Sequence, residues 1–263
     1  MDMTIHNDNI IGIVGGMGPK AGLNLFDKIL KHTDAATDQD HISVILASLP
    51  KYIIDRTQFL EGETDINPAI NIAKIIRKLE NSGANIIGLA CNTSYAPEIY
   101  NTIKQELKVI KSQIKLVHMP VETCRYLTEN YPDFSKIGLM TTNGTYKSGL
   151  YKKLLENLGY NVILPDNEFQ DNVIHRLIYD EEMGLKAYPD TKREEQNKLL
   201  AHAMEFFKKH KAEAIIIGCT ELSILMNEQY IENILIIDPA EILAMKLVKE
   251  ARKSKTEKQK SIS

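Results

Sequence analysis

The chain has no tryptophan, only three cysteines and little net charge, and each scarcity removes a class of protein. Its 263 residues carry 32 Lys and Arg against 35 Asp and Glu, a formal net charge of −3, so there is no basic field to hold nucleic acid. No apolar run approaches the ~20 residues of a membrane span. The polar opening Met1-Asp-Met-Thr-Ile-His-Asn-Asp lacks the apolar core of a signal peptide. An odd number of widely spaced cysteines argues against a disulfide framework and for a reducing compartment, so a cytoplasmic protein is expected. With neither C-x-x-C nor H-E-x-x-H in the chain, no metal site is expected.

What is present is a βαβα rhythm. Short β-branched runs at Ile10–Val14, Ser43–Ala47, Asn85–Ala90, Leu116–Met119, Lys136–Met140, Asn161–Leu164, Ala214–Ile217 and Leu235–Ile237 read as buried strands. Between them, segments 19–34, 67–82, 94–110, 121–130, 146–158, 168–183, 192–210 and 239–252 read as helices, with Pro19, Pro68 and Pro239 near helix starts. This order predicts an α/β fold of parallel sheets flanked by helices. A strand, turn and helix recur around Gly16–Gly18 and again around Thr141–Thr145, which suggests two similar lobes. Pro120 and Asp238-Pro239 are the expected crossovers: residues 1–120 with 239–252 form one lobe, 121–238 the other, and the Lys/Ser-rich 253–263 a disordered tail.

Two cysteines stand in matching contexts: Asn85-Ile-Ile-Gly-Leu-Ala-Cys91-Asn92-Thr93 and Glu213-Ala-Ile-Ile-Ile-Gly-Cys219-Thr220-Glu221. A lone cysteine is most simply a buried core residue. Two of them, each at the carboxyl end of a strand where open α/β sheets bind ligands, point to chemistry instead. A helix N-terminus following each thiol is expected to favour its thiolate. Cys124, inside a helical segment, has no such context and reads as structural.

Other candidates are weaker. Gly16-Met17-Gly18-Pro-Lys-Ala21 formally fits a dinucleotide fingerprint, but the strand at Ser43–Ala47 runs into Ser48-Leu49-Pro50 with no acid for a ribose. The turn is then either simple chain reversal or a set of amides for a carboxylate. Asp55-Arg56-Thr57 is either a solvated loop or a carboxylate grip. Thr142 and Thr145 are either helix caps or hydroxyl donors. A cysteine hydrolase would need a histidine base; His118, His175 and His202 exist, none placed by a motif.

Taken together, these segments resemble the aspartate racemase branch of the aspartate/glutamate/hydantoin racemase superfamily. The motifs are Gly15-Gly-Met-Gly-Pro-Lys-Ala, Asp55-Arg-Thr, Cys91-Asn-Thr, Thr142-Asn-Gly-Thr145 with Gly149-Leu-Tyr151, Ile178-Tyr-Asp-Glu181, Gly218-Cys-Thr-Glu221 and Ile237-Asp-Pro, in family order over residues 10 to 250. Glutamate racemases differ in an Asp-Ser first turn and a Gly-Cys-Thr-His second motif. This chain departs from its own branch in Ser94-Tyr95, where a small residue and a His are usual.

The resemblance implies two pseudo-symmetric lobes, a homodimer, and racemisation of a small amino acid without pyridoxal phosphate, metal or nucleotide. Cys91 and Cys219 are then the catalytic pair, one removing the α-proton and the other supplying a proton to the opposite face. Substrate-binding residues are expected at Met17, Gly18, Asp55, Arg56, Asn92, Thr93, Thr142, Thr145, Lys186 and Thr220, with Arg56 and Lys186 on the distal carboxylate. The rivals are a broader racemase, a maleate isomerase-like or decarboxylating relative, and a non-catalytic amino-acid-binding protein.

Overall fold

The computed structural model describes residues 9–188, 193–226 and 228–253. The expected tail lies outside them beyond Lys253. Strands β1 (Ile10–Gly15), β2 (Val44–Ser48), β3 (Ala84–Leu89) and β4 (Lys115–Leu116) make one sheet in the order β2-β1-β3-β4. Strands β5 (Lys136–Thr141), β6 (Asn161–Ile163), β7 (Ala214–Gly218), β8 (Tyr230–Ile231) and β9 (Ile234–Ile237) make a second in the order β6-β5-β7-β9-β8. Every pairing is parallel except β8 with β9. The expected α/β class and the recurrence of one strand–helix order in both sheets are therefore observed.

Helices cover both faces of each sheet, so the central strands are apolar throughout: β1 and β7 are buried along their whole length. The closing helix, Pro239–Ala251, is capped by Asp238, whose carboxylate accepts from the Ala240 amide at 2.9 Å. Its Leu243, Ala244 and Leu247 enter the core around β1 and β3 rather than that of the second sheet, which immediately precedes it.

The structure differs from the sequence-based expectations at several element boundaries. The run expected as a strand through Met119 stops at Leu116; Met119 already begins helix Met119–Asn130, where Pro120 suits the first turn and His118 Nδ1 accepts from the Val121 amide at 3.3 Å. The helix expected over 146–158 begins at Asn143 and is parted by Gly149, left-handed at φ 64°. The segment 168–183 carries a π-helical stretch, Gln170–His175, and ends its helix at Tyr179. Helix Arg56–Glu61 and strand β8 were not anticipated: six residues are too few to show a period, and the hairpin before β9 turns on Glu232 and Asn233, both at positive φ, without the usual glycine.

The carboxyl ends of β1, β3, β5 and β7 deliver Gly16–Gly18, Cys91–Thr93, Thr142–Thr145 and Cys219–Glu221. The first of these turns is sterically tight. Gly16 sits at φ +86°, and a Cβ there would lie 2.9 Å from the backbone nitrogens of Leu49 and Pro50. Gly16→Ala is expected to destabilise the protein by at least roughly 1–3 kcal/mol, the cost of a strained left-handed residue alone. A lowered urea midpoint with an unchanged m-value would show it; an unchanged midpoint would contradict it.

Candidate active site

One enclosed cleft is lined by Met17, Arg56, Cys91, Asn92, Thr93, Thr142, Tyr179, Lys186, Gly218, Cys219, Thr220 and Glu221. Both motif cysteines thus face the same space. The loop after Cys91 is a 3₁₀ turn, Asn92–Tyr95, and the buried Tyr95 pins it: its hydroxyl accepts from the Leu89 amide at 3.2 Å and donates to the Val117 carbonyl at 3.0 Å. Tyr151 donates to Asn92 Oδ1 at 2.6 Å, while the buried Asn92 Nδ2 has no partner. Thr93 reaches across to the second sheet's turn, with its Oγ1 3.2 Å from that of Thr142 and 2.9 Å from that of Thr145. The chains approach closely here because residue 144 is glycine: a Cβ on Gly144 would stand 2.9 Å from Thr57 Oγ1 and 3.0 Å from Thr93 Cγ2.

Charges are unusually concentrated around this cleft. Arg56, 5% exposed, donates from Nη2 to the Met17 carbonyl at 2.9 Å, but its buried Nε has no partner. Against the effect of burial, the Cys91 sulfur and Asp55 hold this guanidinium protonated above its ordinary range. Asp55 caps helix Arg56–Glu61 and accepts from Tyr179 at 3.0 Å; although burial opposes it, Arg56 and the capping amides keep its carboxyl below the usual range.

On the other side Lys186 Nζ lies 3.2 Å from Glu221 Oε1 and 5.0 Å from the centre of the Tyr179 ring. Glu221 is the hub of this cluster. It also accepts from Cys219 Sγ at 3.0 Å, from Thr220 Oγ1 at 3.2 Å and from the Gly18 amide at 3.3 Å. Lys186 holds it ionised against burial, whereas burial and the neighbouring Glu221 push the Cys219 thiol well up.

The cleft holds only about 10 Å³ of free space, room for about one water, so an amino acid enters only if its walls part. A larger cavity of about 420 Å³ lies elsewhere, beside Tyr126, Tyr131 and Met226. It contains neither thiol, and its Lys28 is paired with Asp238 at 3.1 Å and Glu241 at 2.7 Å. Chemistry therefore marks the smaller cavity as the candidate site. Among the described residues no group of three or more His, Cys, Asp or Glu side chains is placed to hold a metal ion, and no helix is long and apolar enough to cross a membrane.

Residues 14–247 match the Asp/Glu/hydantoin racemase family. The chain belongs to this family. It is accordingly an isomerase of the amino-acid racemase type. A broad specificity amino-acid racemase of Bacillus subtilis is 27% identical over 244 residues, 91% of this chain and 96% of that protein. Among solved structures, Picrophilus torridus aspartate racemase superposes with a TM-score of 0.71 at 28% identity, covering 95% of this chain and 98% of that one. Glutamate racemase from Aquifex pyrophilus shares the fold, at a TM-score of 0.58 and 19% identity over 94% of this chain and 85% of that one.

Within this racemase fold most residues singled out from the sequence line the cleft. Three do not. Gly18 lies beside it, its amide occupied by Glu221 rather than offered to a ligand. Asp55 orients Tyr179 and the Arg56 helix, and Thr145 stands behind Thr93 and Thr142.

The expectation that a helix dipole favours thiolate at both cysteines fails at Cys219. Only a four-residue helix, Leu222–Leu225, follows it, and the carboxylate of Glu221 intervenes. None of the three histidines considered as a hydrolase base lines the cleft. His118 packs on Tyr95 and Tyr100, and burial pushes it down to about 4; His175 stacks on Tyr179; His202 meets Phe169. Cys124 is buried inside helix Met119–Asn130, where desolvation pushes its thiol up to about 12.

Tyr151, Tyr179 and Glu221 were not proposed from the sequence, although Glu221 stands two residues from a cysteine already singled out. An acid so close to a strand-end thiol was the signal available.

Proposed function

We propose that this family member racemises an acidic amino acid, aspartate foremost, through its two cleft thiols and without a cofactor. The observation that carries the proposal is that Cys91 and Cys219 share one small cleft with a buried guanidinium whose Nε has no partner. One thiolate removes the α-proton, and the opposite thiol supplies a proton to the other face. Charge developing on the α-carboxylate falls near the unpartnered Nδ2 of Asn92 and the hydroxyls of Thr93 and Thr142, groups already held in place; the Thr220 hydroxyl proton is given to Glu221.

Leaving a buried charged donor unmatched costs at least about 1–3 kcal/mol, so Arg56 favours a ligand with a second carboxylate. Lys186 is already matched by Glu221 and is the less available anchor. The near-absence of free space in the closed cleft would keep solvent from competing for the carbanion-like centre. In this reading residues 1–120 with 239–252 and residues 121–238 move as two lobes to admit substrate.

The deciding experiment is α-proton exchange in deuterated water with purified protein, without added cofactor, over both enantiomers of aspartate, glutamate, alanine and serine. Exchange with inversion on aspartate supports the proposal. Equal rates on all four would establish a broad racemase, and binding without exchange a non-catalytic amino-acid-binding protein.

Cys91→Ser and Cys219→Ser should each lower racemisation by more than roughly a hundredfold, about 2.7 kcal/mol, because a hydroxyl is too weak an acid to serve as base or donor. Cys124→Ala should leave kcat within about twofold, since burial keeps that thiol out of the chemistry; a loss of racemisation in a folded Cys124→Ala protein would contradict this assignment.

Arg56→Ala should cost acidic substrates roughly 2–4 kcal/mol in kcat/KM and neutral ones little. An equal loss on aspartate and alanine would place Arg56 on the α-carboxylate.

A further inference from the structure

The two thiols have opposite surroundings. The guanidinium of Arg56 stands beside Cys91, whereas the carboxylate of Glu221 accepts a hydrogen bond from Cys219 at 3.0 Å. We propose that Glu221 is a catalytic residue that keeps the exchangeable proton on Cys219, so that the free enzyme presents Cys91 as base and Cys219 as acid. The inference rests on the two-thiol reading above and assigns its starting form.

Geometry supports the assignment in three ways. Glu221 has one oxygen on Lys186 and the Gly18 amide and the other on Cys219 and Thr220, so its orientation toward the sulfur is fixed from four sides. An ionised carboxylate is an acceptor only, so the proton in the 3.0 Å contact must belong to sulfur. The remaining charged or titratable groups around the cluster are Lys186 and Tyr179 from the second lobe and Arg56 and Asp55 from the first. Lys186 is matched by Glu221, and Asp55 faces Arg56 and Tyr179, leaving Glu221 as the charge in direct contact with Cys219.

The proton balance follows. Cys91 thiolate takes the α-hydrogen and becomes a thiol; Cys219 gives its proton to the opposite face of the α-carbon and becomes a thiolate beside Glu221. Two adjacent negative charges make that form the less stable one. After product leaves, Cys91 releases a proton to solvent and Cys219 takes one up, restoring the starting form.

The test is site-resolved alkylation by iodoacetamide as a function of pH, with each cysteine read by peptide mass spectrometry, beside kcat/KM profiles for aspartate. In the wild type Cys91 should react at lower pH than Cys219. Glu221→Gln, similar in size and uncharged, should move the Cys219 midpoint down by about one pH unit, roughly a tenfold rise in its thiolate population below that midpoint. The Cys91 midpoint should remain in place, and the alkaline limb of kcat/KM should fall at lower pH as the acid is lost. Glu221→Asp, which keeps the charge, should hold the Cys219 midpoint above that of the Gln variant and so separates charge from damage to the fold.

Earlier alkylation of Cys219 in the wild type, or a Cys219 midpoint unmoved in Glu221→Gln, would overturn the inference. Alkylation needs no substrate, so this result stands apart from that of the exchange assay. Racemisation with an unmoved midpoint removes only the role of Glu221, and absence of racemisation removes the proposed function.

Discussion

Lys186 and Glu221 meet at 3.2 Å between the ends of two sheets, Glu221 almost wholly out of water and Lys186 mostly so, and the candidate site is organised around keeping that pair matched. Removing ions from water costs several kcal/mol each, repaid only when every lone pair and proton finds a partner. That requirement explains why Glu221 collects hydrogen bonds from Gly18, Thr220 and Cys219, and why Tyr179 lays its ring under the Lys186 ammonium. It also ties the ends of the two sheets together, since Gly18 belongs to the turn after β1 and Glu221 to the turn after β7. Arg56 repeats the arrangement less completely: the Met17 carbonyl and Asp55 meet part of its charge, and Nε is left over.

The sheets were legible because their strands are short, β-branched and covered on both faces, so that composition alone separates them from the amphipathic helices. The cysteine pair was legible because two strand ends carry the same kind of sentence. What could not be read were features decided by tertiary packing. Helix Arg56–Glu61 has no period to detect; it exists because Asp55 caps it and Arg56 is pulled inward. The strand run ending at Met119 has strand composition, yet Pro120 and the His118 cap convert its end to helix. The π-helical stretch at Gln170–His175 carries no sequence mark, although it precedes Tyr179, which touches both Asp55 and Thr57.

The same limit applies to electrostatics. A thiol before a helix suggests a lowered pKa, and the sequence shows two such thiols. Whether the following helix is long enough to act, and whether an anion stands between, are questions of geometry. At Cys219 both answers go against the simple expectation: the helix is a single turn, and Glu221 occupies its start. Matching motifs therefore picked out two thiols that line one cleft while concealing that their environments differ. Residue contexts repeat along a chain more faithfully than the fields they end up in.

One consequence follows from the repeated strand order with unlike side chains at its two third-strand ends, Asn92-Thr93 in one half and Thr220-Glu221 in the other. Repeated halves of a chain are related by rotation, whereas the two hands of an amino acid are related by reflection, and no rotation turns one hand into the other. Even identical halves would not treat both hands identically. The hands are nonetheless equal in free energy in water, so for any racemase of this architecture kcat/KM must be the same in both directions. The inequality of the halves can surface only in how each hand divides that shared ratio between tightness of binding and speed of turnover.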